Sequence, residues 1–139
     1  MKRFVFRLQR VYEYKKTVER SQKAELAEAV AALDRLMKEL ARLENELMNG
    51  YSGAKTIQAF EEHARWLERI RDERTELLPK IAEAEQYVEE CRDRLVQTMK
   101  ELKAYDKLRS EQYAEWRAEN DKSERAAIED YIAGSSQRE

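Results

Sequence analysis

Side chains able to do covalent or acid-base chemistry near neutral pH are scarce in this chain: His63 is its one histidine and Cys91 its one cysteine. A histidine can move a proton but needs a partner to orient it, and a single thiol can neither close an internal disulfide nor supply a metal-ligand pair. No glycine-rich turn stands ready to cradle a phosphate. Asp and Glu are plentiful, yet they alternate with Lys and Arg as on a solvated helix, and a carboxylate pair needs a pocket to shift its pKa values. The sequence therefore predicts no catalytic residues, no metal site and no cofactor. The chemistry left to it is binding through aromatic, apolar and charged side chains.

The elements that would present those side chains are read from one seam. Every seventh residue from Phe60 gives Phe60, Leu67, Arg74, Ile81, Val88, Leu95 and Leu102, and the interleaved set gives His63, Ile70, Leu77, Ala84, Cys91, Thr98 and Tyr105. A mostly apolar stripe at alternating steps of three and four, held in register this long, marks a helix that buries a narrow face against another helix. Charged residues make up 40% of the 139, against roughly a quarter in an ordinary domain. Three Gly and one Pro are too few for the turns of a sheet or a many-helix bundle. The predicted fold class is all-α: a long antiparallel two-helix coiled-coil hairpin with an overhanging C-terminal helix, forming one domain over 1–139.

Taken in order, the first helix spans about 4–49. Phe4, Val11, Tyr14 and Val18 share a stripe flanked by Leu8, and a stutter of eleven residues leads to the set Leu26, Ala29, Leu33, Leu36, Leu40, Leu43 and Leu47. Asn49 and Gly50 stop it, and a loop of about 50–55 with Tyr51 in the turn follows. A second helix, kinked at Pro79, covers about 56–132, with a true break at Pro79 as the alternative. The tail, 133–139, is expected to fray. A short connection makes the helices antiparallel neighbours and pairs Leu47 with Phe60, Leu40 with Leu67, Leu33 with Arg74, Leu26 with Ile81 and Phe4 with Leu102. A one-heptad slip, pairing Leu47 with Leu67, is the other register. At ~1.5 Å per residue the paired rod would measure about 70 Å and the second helix would overhang it by about 40 Å.

A net charge of -2 gives no general case for nucleic-acid or membrane binding. The cations are unevenly spread: eight of them (Lys2, Arg3, Arg7, Arg10, Lys15, Lys16, Arg20, Lys23) face only Glu13 and Glu19 in the first helix. They form either a solvated face or a docking surface for an acidic partner. Arg3, Arg7 and Arg10 interrupt any secretory signal, no run approaches the ~18 apolar residues of a membrane span, and one cysteine suits a reducing compartment. A soluble cytoplasmic protein with Cys91 packed on the seam is expected.

Beyond Tyr105 the seam positions turn polar, with Arg109, Gln112, Glu119 and Ser123, while Leu108, Tyr113, Trp116, Ile128 and Tyr131 remain. Such a segment either docks into a groove of another protein, with its aromatic residues as anchors, or covers its own neighbours along the helix. Near the loop, His63 and Arg74 put polar groups on the seam beside Trp66. They fix register or belong to a second binding patch.

Both ends carry a resemblance. The opening FVFRLQRVYEYKK (4–16), followed by Glu19, Leu26 and a leucine-periodic helix, resembles the start of the flagellar export protein family FliJ. The close, LRSEQYAEWRAENDKSERAAIEDYI (108–132), is similar to that family's C-terminal signature through Glu124, Ile128, Glu129 and Asp130. Phe60, Leu67 and Ile70 stand where the family has a short apolar series after its loop; Tyr12 and His63 depart from its usual aliphatic or aromatic residues. The resemblance covers essentially the whole chain and is most specific at the ends.

That resemblance implies a soluble, non-enzymatic part of the flagellar type III export apparatus, similar to the central stalk of rotary ATPases. Its partners would be the hexameric flagellar export ATPase, the cytoplasmic domain of the export gate, and export chaperones, with no nucleic acid. It would be a monomer when free. It would meet the inner-membrane apparatus at the flagellar base only through those partners. Contact with the ATPase is carried onto Phe4, Phe6, Arg7, Leu8, Gln9, Tyr113, Trp116, Glu124, Ile128, Glu129 and Asp130. Contact with the gate is carried onto Leu43, Phe60, His63, Trp66, Leu67, Ile70 and Arg74. The alternatives are the equivalent stalk of a virulence injectisome and a homodimeric coiled-coil scaffold.

Overall fold

Two long helices packed against each other make the chain an all-α hairpin. The structure is a computed structural model that describes residues 2–50, 53 and 55–138. Tyr51, expected in the turn, lies outside the described residues. Helix α1 runs Gln9–Asn49 and helix α2 runs Ile57–Arg138.

Their ends follow local chemistry. The Thr56 hydroxyl accepts the Ala59 amide at 3.1 Å, capping the first turn of α2. Gly53, at φ 58°, takes the left-handed conformation that a side chain would resist. Helix α1 starts at Gln9, five residues later than Phe4: residues 2–6 lie outside any helix or strand, and a turn at Arg7 and Leu8 leads into it. There Phe6 is buried while Val5 points outward, and the Gln9 amide donates to the Phe6 carbonyl at 3.1 Å as the chain turns into the helix. Helix α2 passes through Pro79 as one helix and continues past Ile132 to Arg138; a single exposed Gly134 costs only about 1 kcal/mol against Ala.

The packing divides into two units, Arg20–Val96 and Met1–Glu19 with Gln97–Glu139. In the first, α1 presents Leu26, Ala29, Leu33, Leu36, Leu40, Leu43 and Leu47, the stripe read from the sequence. Leu43, Ile70, Leu77 and Ile81 form one buried cluster, and Ala29, Val88 and Cys91 form another. Each fully buried Leu or Ile contributes about 1.5–3 kcal/mol. Cys91 is a packed thiol whose sulfur accepts from the Arg94 guanidinium at 3.4 Å. Arg74 steps out of the seam to pair with Glu44 at 3.5 Å, and Arg94 reaches Glu25 at 4.0 Å.

Those partners correct the register. Arg74 lies beside Glu44 and not Leu33, a slide of eleven residues along α1, and the Trp66 ring sits directly against the Gly50 backbone. Eleven residues are three helical turns, so the slide again sets one apolar stripe on the other. Bulk at Trp66 against the absence of it at Gly50 selects between registers that the heptads leave equivalent.

In the other unit the contacts between helices are polar and aromatic. The Tyr12 hydroxyl donates to Asp106 at 2.7 Å, and Lys15 pairs with Glu101 at 2.5 Å, while Phe6, Thr98 and Leu102 are buried. Hydrogen bonds from Lys15, and next from Gln97, hold the Glu101 carboxyl below the usual range, and the bond to Glu101 raises the Lys15 ammonium. A lowered carboxylate stabilises above its unfolded value of about 4.3 and loses that contribution as pH falls through its folded pKa. A raised ammonium stabilises below its unfolded value of about 10.4 and loses it above the folded one. Lys15→Met is therefore expected to lower the neutral plateau of a melting-temperature profile slightly, as befits an exposed pair, and to leave the acid end unchanged, so that the limb below about pH 4.5 flattens by the same small amount.

Candidate functional site

Residues 2–6 and the later turns of α2 build the first candidate surface. Phe4 meets Tyr113 edge-on at 5.2 Å and 83°, and Trp116 at 5.9 Å and 54°. Tyr113 stacks on Trp116 at 5.8 Å, and the Trp116 indole N–H donates to the Lys2 carbonyl at 3.1 Å. Burial alternates along this segment: Phe4 and Phe6 are covered while Arg3, Val5 and Arg7 are exposed. The sequence assigned Tyr113 and Trp116 to an overhang without an intramolecular partner. In the structure the Phe4 ring contacts both, and Tyr113 stays 44% exposed.

The eleven residues assigned to this end therefore separate into two groups. Phe4, Phe6, Leu8 and Trp116 are packed or partly packed, Tyr113 touches the Phe4 and Trp116 rings but stays 44% exposed, and Gln9 donates to Glu13 at 3.2 Å. Arg7, Ile128, Glu129 and Asp130 are exposed, and Glu124 is half-buried. Ile128 lies about 18 Å along α2 from Trp116, so the two groups do not form one patch. Past Trp116 the most exposed apolar side chains are Ile128 (58%), Tyr131 (78%) and Ile132 (60%). Tyr131, named with Ile128 in the sequence, is open, and Ile132, which was not named, lies beside them; its spacing of four from Ile128 could have disclosed it.

Phe4→Ala tests the latch. Losing two ring contacts removes about 2 kcal/mol, and trypsin cleavage after Arg7 is expected to accelerate by roughly tenfold. Melting of the helices should move by less than about 2 °C, because the seam of the other unit is untouched.

The second candidate surface lies beside the turn. His63 stacks on Trp66 at 5.4 Å and 25°, and a shallow groove is lined by Leu47, Met48, Gly50, His63, Leu67 and Arg71. Leu43, only 1% exposed, and Ile70 belong to the buried cluster, so a partner could reach them only by parting the helices. Trp66 is half-buried against that cluster, and Arg74 is engaged with Glu44. Phe60 is 67% exposed, as are its neighbours in chain order Ile57 and, across the turn, Met48. Of the assigned residues, Phe60 is the apolar one open to a partner.

A depression of about 600 Å³ is a gap between solvated side chains, lined by Glu62, Arg65, Glu68, Arg69 and Asp72 of α2 alone. Among the described residues no group of three His, Cys, Asp or Glu could hold a metal ion, and no helix is long and apolar enough to cross a membrane.

The family described as Flagellar FliJ protein matches residues 4–137. The chain belongs to that family. It is thus a flagellar-export-related coiled-coil protein, and the match reaches from the Phe4 latch through both candidate surfaces of this FliJ family member. No curated protein and no solved structure matches it.

Proposed function

We propose that the chain is a non-enzymatic stalk of the flagellar export apparatus: it docks into the hexameric export ATPase with its joined ends, promotes ring assembly and hydrolysis, and contacts the cytoplasmic domain of the export gate beside its turn. The observation that carries this reading is the ring cluster of Phe4, Tyr113 and Trp116, which ties the two signature-bearing ends of the chain into a single end. A stiff, asymmetric helix pair inside a ring touches the subunits unequally, and unequal contact biases their ATP-bound states through differential binding. Handling of export chaperones, and a cytoplasmic place at the base of the flagellum, go with this role.

Exposure supports dividing the work. Ile128, Glu129 and Asp130, extended by Tyr131 and Ile132, are the contact with the ATPase, and the latch positions them. Phe60, with His63 and Leu67 lining the adjacent groove, is the contact with the gate, while Leu43 and Ile70 shape that surface from beneath. Ile128→Asp is expected to weaken binding to the ATPase by tenfold or more, as expected when a central apolar anchor is lost, and to leave gate binding unchanged. Phe60→Ala should do the reverse. Titration of each variant against both purified partners checks this, and equal loss of both affinities in either variant would remove the two-surface reading.

A further inference from the structure

One face of the first turns is used neither by the seam nor by either proposed contact. Six cations stand between Lys2 and Lys16 against the single carboxylate of Glu13. Lys15 is engaged with Glu101 and Lys16 lies over the Tyr12 ring at 5.2 Å, but Lys2, Arg3 and Arg10 are exposed and have no ion pair among the described residues. The carboxylates beside Arg10 and the first turn of α1 are already engaged: Glu13 accepts from Gln9, Asp106 from Tyr12, and Glu101 from Lys15; Glu119 and Glu124 line a depression beside Lys2. Interleaved with the free cations are apolar side chains held in water, Val5 at 74%, Tyr14 at 66% and Val11 at 40% exposure. Val11 and Tyr14 fall three apart, on the same side of α1 as Arg10. Val5 is outward because Phe4 and Phe6 are inward.

We propose that this face rests directly on an anionic phospholipid surface. Cations set among small apolar groups and a tyrosine are the chemistry of the membrane interface: the valines enter the boundary between headgroups and acyl chains, the tyrosine lies at headgroup depth, and the cations meet phosphate. Nucleic acid fits less well, since it would ask for flat rings to stack upon, and Phe4 and Tyr113 are already occupied by each other. With three free cations and two valines the contact is weak and reversible, one of the two signals that stable anchoring requires. It differs from the expectation that the membrane is met only through partners.

The full-length chain is sedimented with vesicles of phosphatidylglycerol and phosphatidylcholine, and with vesicles of phosphatidylcholine alone. The result expected is binding to the anionic vesicles only, abolished by about 0.5 M NaCl. Each cation near such a surface is worth roughly fivefold in partition, so Arg3→Gln with Arg10→Gln should weaken binding by roughly 25-fold. Val5→Ser with Tyr14→Ser should weaken it while leaving its salt dependence in place. Both double variants should keep their helical circular dichroism and, in solution without vesicles, their stimulation of the ATPase. No binding to anionic vesicles, equal binding to both kinds, or tighter binding to a single-stranded oligonucleotide than to vesicles would overturn the proposal. Loss of ATPase stimulation in these variants would assign the face to the ATPase instead, also overturning it, whereas failure of the wild-type chain to stimulate would count against the stalk reading alone.

Discussion

Leu43→Ala is expected to destabilise the hairpin by about 3 kcal/mol, within the range of about 2–5 kcal/mol for buried leucines. The side chain is 1% exposed and packs with Ile70, Leu77 and Ile81. Among the described residues it heads the fully buried side chains by volume, followed by Cys91. A two-helix seam has no second layer that could collapse into the space, so the lost transfer free energy and the cavity add. Thermal denaturation followed by circular dichroism measures this. Any fall in gate binding by this variant would follow from parted helices, and a variant that melts like the wild type would show that Leu43 is a surface residue.

Pro79→Ala is expected to act in the opposite direction, stabilising the chain by up to about 3 kcal/mol, the difference between Pro and Ala inside a helix. At Pro79 the helix lacks one amide donor, so the Thr75 carbonyl has no N–H to accept. Thr75 adds to the local disturbance: its hydroxyl donates to the Arg71 carbonyl at 2.9 Å, a bond that favours bending. Both residues are exposed, so water can satisfy the carbonyl and the helix continues between the buried Leu77 and Ile81. A rise in melting temperature of several degrees is the result expected, and an unchanged one would mean that the substitution is offset elsewhere. If the missing hydrogen bond at Pro79 serves the stalk, the same variant will be more stable and less able to stimulate the ATPase.

How far the sequence discloses this molecule depends on which physical signal each feature uses. The leucine stripe of α1 and the seam from Ile70 to Leu102 are legible because burial imposes a period of three and four. Helix α1 stops at Asn49 as read, but the left-handed conformation falls on Gly53 and not on Asn49 or Gly50, and Pro79 stays inside α2 because the seam residues on either side keep their phase. The register is not legible. An eleven-residue slide restores the same pattern, and only the fit of Trp66 against Gly50 separates the choices. The non-helical start is hidden for a different reason: Phe4, Leu8 and Val11 also fit a helical stripe, so the residues before Gln9 read as part of α1. At the candidate surfaces, residue type does not tell covered from open side chains. Trp116 and Trp66 read as anchors and are packed, while Tyr131 and Ile132 are open.

The central claim is that the joined ends act on the export ATPase. Purified chain added to the cognate export ATPase, with hydrolysis and ring formation followed together, tests it most directly. The account predicts that both rise with added chain, and that Ile128→Asp abolishes the rise without altering the melting temperature. Hydrolysis and assembly that do not respond to the wild-type chain would contradict it.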